Sequence, residues 1–393
     1  MSDRVLIISS DTHAGLPPER YRDYVDPKHR DTFDIALPIQ NEAIRESAKK
    51  FLVDETNAEW RKGHEHELEG AWDSSVRIEV LDGDGCAGEI IFPDGVTEMN
   101  TPPFGAGLSL PTEGIDPELQ WAGARAHNRW IAEFCAEAPE RRVGLAIVLI
   151  WDIDEAVEEV RWARSNGLRG ILLPTLWGKL AAYQDSRYDP LWSVCEELDM
   201  PVTIHSGAAP MEDYGDGEGM VGTYISEVCW WTARPLTFMV WGGVFERHPD
   251  LKVVITEGTS IWVPEMLELW DFRYDETHFA AKLGDYRSHL SMKPSEYFRR
   301  NVFIGASCMS RRESEMRDAI GVGNMLWGSD YPHPEGTWPF TREKMSETFR
   351  GLPEQDVRDM LGLNAARVYG FDVEALGKVS EKVGPELSDI IGG

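Results

Sequence analysis

Long apolar runs are missing from this chain. No stretch approaches the ~18 uninterrupted apolar residues of a membrane span, and the N-terminus, with Asp3 and Arg4 ahead of the short run Val5-Leu6-Ile7-Ile8, lacks a signal-peptide layout. A cytoplasmic protein with no membrane partner is expected. Positive charge is also scarce: Lys and Arg total 39 against 68 Asp and Glu, a formal net charge of −29. Such a surface repels phosphate backbones, so no nucleic-acid partner is expected. The five cysteines, Cys86, Cys135, Cys195, Cys229 and Cys308, are odd in number and have no Cys-x-x-Cys spacing. That excludes a disulfide framework and a structural zinc site and leaves buried thiols. Low-complexity blocks and internal repeats are lacking too. What is present is a hydrophobic fraction of 42% over 393 residues, ample for a large buried core.

Short β-branched runs alternate with stretches of helical periodicity. Strands are expected at Val5–Ser9, Gly88–Phe92, Val143–Ile147, Gly170–Leu173, Val202–Ile204, Lys252–Thr256, Val302–Gly305 and Met325–Gly328. Helices are expected at Pro117–Ala138, Asp154–Asn166 behind an Asp cap, Pro190–Leu198, Ile225–Val240, Trp262–Leu283, Pro294–Arg300, Arg342–Arg350 and Glu354–Tyr369. This α/β order is that of a (β/α)8 TIM barrel. A doubly wound sheet shares the alternation, and the placing of polar residues separates the two. One barrel domain is expected over residues 1–375, with C-terminal helical additions and a loosely held tail or oligomer arm at 376–393. The stretch 15–86 is too long for an ordinary connection and reads as a charged, solvated lid.

Reactive groups of such a barrel sit at the C-terminal ends of its strands. Strand one ends in Ser9-Ser10-Asp11-Thr12-His13, strand five in Ile204-His205-Ser206-Gly207, strand six in Thr256-Glu257-Gly258 and strand eight in Gly328-Ser329-Asp330-Tyr331-Pro332-His333. Asp11 and His13 are two apart, so in an extended segment both face one ion. His205 and Asp330 approach from across the mouth. Two imidazoles and two carboxylates suit Zn²⁺, Mn²⁺, Fe²⁺ or Ni²⁺ and leave a position open for water or substrate. His333 can reach the same point. His64 and His66 fall in the charged insertion and His127 and His248 on or beside helices, so none of the four is expected to act.

These segments, with Trp241-Gly242-Gly243-Val244-Phe245-Glu246-Arg247-His248-Pro249-Asp250-Leu251-Lys252-Val253-Val254, resemble the amidohydrolase superfamily. The closer likeness is to its branch of aminocarboxymuconate-semialdehyde decarboxylase-like proteins. The resemblance implies a barrel whose divalent metal is held by Asp11, His13, His205 and Asp330. Two departures stand out: Asp11-Thr12-His13 replaces a His-x-His, and Glu257 replaces a histidine. An extra carboxylate hardens the site towards Mn²⁺ or Fe²⁺ without excluding Zn²⁺. Glu257 has three readings: a general acid or base, a ligand to a second ion with His333 or Asp94, or a hydrogen-bond support for His205 or His13.

The expected activity is a metal-dependent hydrolase acting on an ester, thioester, amide or activated C–C bond, with Glu257, Asp330 and His333 catalytic and one or two metal ions (Zn, Fe or Mn). The alternative is a metal-dependent non-oxidative decarboxylase of an aromatic or unsaturated acid. A catalytically silent barrel is disfavoured by intact ligands at four strand ends. Trp177, Trp230, Trp231 and Tyr331 are expected to contact an apolar or aromatic small-molecule substrate, Lys179 or Arg234 to hold a carboxylate, and Gly215–Met220 to form a loop over the mouth. The acidic surface and the tail are compatible with a homodimer.

Overall fold

A computed structural model describes residues 3–94, 100–108, 110, 114, 116–276 and 282–392. Its strands are β1 (Ile8–His13), β2 (Gly88–Phe92), β3 (Arg142–Gly144), β4 (Ala146–Ile147), β5 (Ile171–Leu172), β6 (Val202–His205), β7 (Val253–Thr256), β8 (Val302–Ser307) and β9 (Met325–Gly328). All pair in parallel, in the orders β1-β2-β3 and β4 to β9. The expected third strand is broken at Leu145, whose N–H donates to Ile91 O while Ala146 N–H donates to Gly170 O, so β3 and β4 fill one barrel position. The sheet closes where His13 N–H donates to Tyr331 O at 2.7 Å and Asp330 N–H to Asp11 O at 2.9 Å. The fold is therefore an α/β barrel.

Alternation along the strands sorts the core. Ile90, Phe92, Leu172, Val254, Phe303 and Leu326 form one buried cluster with Ala365, Tyr369 and Leu376. Their neighbours Ile91, Ile171, Val253, Val302, Met325 and Trp327 belong to the larger cluster beneath the helices, as period-two geometry requires. Helices Pro117–Ala136, Ile153–Ser165 and Asp189–Glu197 match expectation, and the Asp cap is Asp152, which accepts from Asp154 and Glu155 N–H. The helix expected at Ile225–Val240 runs Met220–Trp241, beginning five residues earlier, directly after Gly219. The helix expected at Trp262–Leu283 spans Val263–Asp275, and 277–281 lie outside the described residues.

Three expectations change. The first strand, expected at Val5–Ser9, is displaced to Ile8–His13: Val5–Ile7 lie outside it, and the polar run Ser9 to His13 is buried and continues the pairing with β2. The insertion is not simply a solvated lid: its helix Ser74–Asp84 buries Val76, Arg77, Val80, Leu81 and Asp84 against the barrel, while Arg30–Ala48 is largely exposed. The last residues are docked, with helix Leu387–Ile391 burying Leu387 and Ile390, Val5 N–H donating to Pro385 O and Leu387 N–H to Asp3 O.

Candidate metal centre

β1 ends in buried Asp11 and His13, and β6 ends in buried His205. Asp330 and Glu257 follow β9 and β7 with φ of 62° and 60°. That left-handed backbone costs a non-glycine residue about 1–3 kcal/mol and is retained mainly at functional sites. Gly328 keeps the approach open, since a Cβ there would lie 2.6 Å from Asp11 Cβ.

The side chains converge. His13 Nε2 lies 3.4 Å from both Asp11 Oδ1 and Asp330 Oδ1, and His205 Nε2 lies 3.5 Å from Asp11 Oδ1. Asp11 Oδ1, His13 Nε2, His205 Nε2 and Asp330 Oδ1 are all buried without a hydrogen-bond partner. Four orphaned buried atoms would be costly unless a common partner meets them. The other edges are fixed. His13 Nδ1 donates to Pro93 O at 3.1 Å and His205 Nδ1 to Ser206 O at 3.0 Å, which leaves each Nε2 lone pair facing the centre. Ser307 Oγ donates to the second oxygen of Asp11. The donor set fits a divalent cation.

Electrostatics agree. Burial opposes charging of His13, but the nearby carboxylates of Asp11 and Asp330 lift it to about 10. Burial likewise opposes a charged His205, yet Asp11 raises it to about 9. Asp11 is held well below the usual carboxylate range by His205 and His13 against the pull of burial. Burial, joined by repulsion from Asp330 and Asp11, prevails over the attraction of His205 and His333 and pushes Glu257 up to about 7. Carboxylate charge crowded at the centre draws protons onto both rings, and a bound cation would take the place of those protons. Glu257 Oε2 sits 3.5 Å from His205 Nδ1. His333 stacks on His13 with centroids 4.0 Å apart and places Nδ1 3.2 Å from Asp330 Oδ1.

The centre forms the floor of a cavity of about 650 Å³. His13, His205, Glu257 and His333 reach it, and Leu108, Ile225 and Val228 provide an apolar wall. Gln40 and Ile44 of the insertion close one side. A more open cleft of about 750 Å³ beside Tyr24, Arg129 and Trp162 contains none of these groups.

The expected aromatic contacts are corrected. Trp177 packs on Phe238 with Arg234 over its ring. Trp230 is 56% exposed, Trp231 donates to Tyr214 Oη, and Tyr331 is buried with its hydroxyl on Glu67 O. None of these residues lines the cavity, nor do Lys179, Arg234 or the Gly215–Met220 segment. Arg234 is engaged by Trp177, Trp231 and Phe238, and Asp216 of that segment pairs with Lys50. Asp94 does line the cavity. Ser307, the last residue of β8, is a strand-end position that the same rule could have found, whereas Glu335 lies in the loop seven residues beyond the end of β9 and carries no such signal.

A family model described as Amidohydrolase matches residues 111–371, a stretch that includes His205, Glu257, Asp330 and His333 but not Asp11 or His13. The gamma-resorcylate decarboxylase of a Rhizobium species is 26% identical over 264 residues, 63% of this chain and 76% of that one. The 2-amino-3-carboxymuconate-6-semialdehyde decarboxylase of Dictyostelium discoideum is 25% identical over 315 residues, 77% of each chain. The fold resembles the crystal structure of 5-carboxyvanillate decarboxylase from Novosphingobium aromaticivorans complexed with manganese and 4-hydroxy-3-methoxy-5-nitrobenzoic acid. That likeness has a TM-score of 0.66 and 17% identity, and covers 94% of this chain and 99% of the other.

Proposed function

We propose that this chain, which belongs to the amidohydrolase family, is a metal-dependent non-oxidative decarboxylase of an aromatic carboxylic acid. The observation that carries the reading is the set of four buried, unpartnered ligand atoms of Asp11, His13, His205 and Asp330 at the floor of a cavity of ring-bearing size. Of the two chemistries expected from sequence, decarboxylation is preferred over hydrolysis because both relatives are decarboxylases. Support for a hydrolase stops at the family description.

Asp11, His13, His205 and Asp330 would hold the ion, and two hard carboxylate oxygens favour manganese, the metal of the related crystal structure. Bound there, a divalent ion supplies Lewis-acid polarisation of substrate oxygens. The reaction breaks the ring–carboxylate bond, releases CO2 and places the freed electron pair in a new C–H bond, so one proton must reach the ring carbon. Glu257, partly exposed at the cavity edge, is assigned that delivery. His333 is assigned to orient the substrate, since its Nδ1 is tied to Asp330 while its Nε2 is without a partner. The wall of Leu108, Ile225 and Val228 keeps water from the departing carboxyl carbon.

The test is CO2 release from a panel of hydroxybenzoates by manganese-loaded protein, with metal content measured alongside. His205→Ala is expected to lose both metal and turnover. Glu257→Gln is expected to keep the metal and lose turnover by about 10²–10⁴-fold. Hydrolysis of esters or amides with no CO2 from any aromatic acid would overturn the proposal.

A further inference from the structure

The cavity has an uneven chemistry. Its described lining contains no lysine or arginine, and the residues outside the description contain none either. Three acidic side chains, Asp94, Glu257 and Glu335, line it instead. Ligand oxygens of Glu257, Asp330 and Glu335 lie within 4.8 Å of one another. The charges of Asp11 and Asp330 cancel those of a bound divalent ion, so the occupied centre adds no surplus positive field beyond the position it offers. One substrate carboxylate has a partner there. A second would be desolvated against Glu335 and Asp94, where the only described lining side chain able to carry positive charge, apart from the metal-holding His13 and His205, is His333, already ion-paired with Asp330 at 3.2 Å.

The remaining surface is suited to neutral groups. Leu108, Ile225 and Val228 offer apolar contact. Thr101 Oγ1 is buried at the cavity without a hydrogen-bond partner and can bond a hydroxyl or ether oxygen. The acidic oxygens accept from a hydroxyl or an amino group.

We infer that the site selects an aromatic acid with a single acid group, its other substituents apolar or hydrogen-bond donating, and that Glu335 is the residue that turns away a second carboxylate. The inference rests on the decarboxylase reading and adds to it the class of substrate. Glu335 is exposed, and its backbone carbonyl, which accepts from Cys308 Sγ, is untouched by a side-chain change, so substitution there leaves the fold's packing in place.

The experiment is calorimetric titration of manganese-loaded protein with 2-hydroxybenzoate and with 4-hydroxyisophthalate, which adds one ring carboxylate to the same skeleton. The reading is the ratio of the two Kd values, which does not require turnover. The dicarboxylate is expected to bind at least about tenfold more weakly to the natural chain, with the gap narrowed in Glu335→Gln and closed or reversed in Glu335→Arg. Equal or tighter binding of the dicarboxylate to the natural chain, or a ratio that neither variant moves, would overturn this inference alone. Binding of neither acid to protein shown to carry manganese would overturn the decarboxylase reading and this inference with it.

Discussion

A buried carboxyl needs a cationic partner or a proton, and Asp84 is built for the proton. It is 7% exposed, accepts from Thr341 Oγ1 at 2.7 Å, and burial pushes it up to about 7. The unfolded chain gives up that proton near pH 4, so between pH 4 and 7 the native state binds more protons and stability falls as pH rises. Asp84→Asn, which retains the acceptor oxygen, is therefore expected to stabilise the protein by about 2–4 kcal/mol at pH 8 and by almost nothing at pH 4. Denaturant melts at the two pH values check this; an equal gain at both would show that the effect is not protonic. His127 works in the opposite sense. Its ring is buried against Tyr21 Oη, and burial holds it near 3. Its contribution is present above pH 6.5 and is lost as pH falls towards 3.

At the scale of elements, the insertion acts on the metal centre from behind. Fully buried Arg77 of helix Ser74–Asp84 donates to the carbonyl oxygens of His13 and Gly70 and pairs with Glu89 of β2 at 2.7 Å. Thr12 Oγ1 donates to the same Glu89. The strand that carries Asp11 and His13 is thereby clamped to its neighbour. Arg77→Met leaves Glu89 short of one charge partner and is expected to cost about 3–5 kcal/mol. In the fraction that remains folded, manganese affinity is expected to fall about 10–100-fold. Calorimetry on the folded variant measures this, and unchanged affinity would confine Arg77 to a purely structural part. Helix Met220–Trp241 shows why the aromatic reading failed. Tyr224, Ile225 and Val228 share the face towards the cavity, and at 100° per residue Trp230 lies on the opposite one. Composition marks an aromatic helix, but only its rotation about its axis determines what the substrate meets.

At the scale of the whole molecule, the two chain ends are stitched together. Arg4 pairs with Glu386, and helix Leu387–Ile391 packs beside helix Thr341–Phe349, where Gly351 N–H donates to Ile391 O. Deleting residues 384–393 exposes the sites of Leu387 and Ile390 and is expected to cost about 3–5 kcal/mol, since each large aliphatic side chain contributes about 1.5–3 kcal/mol on burial. Urea denaturation of the truncated chain tests this. A midpoint equal to that of the full chain would mean that the segment is only laid on the surface.

The sequence alone determined the alternation of strands and helices and the identities of Asp11, His13, His205, Glu257, Asp330 and His333, because strand periodicity and the chemistry of a strand's last residues are local properties. Barrel order then places all those ends on one face. Tertiary structure alone decided that the four ligand atoms meet without other partners, that Arg77 reaches the His13 carbonyl, and that Glu335 rather than any of the expected aromatic residues faces the cavity. Those facts depend on how helices are rotated and how distant segments dock, which is set by packing across the molecule and leaves no periodic mark in the chain.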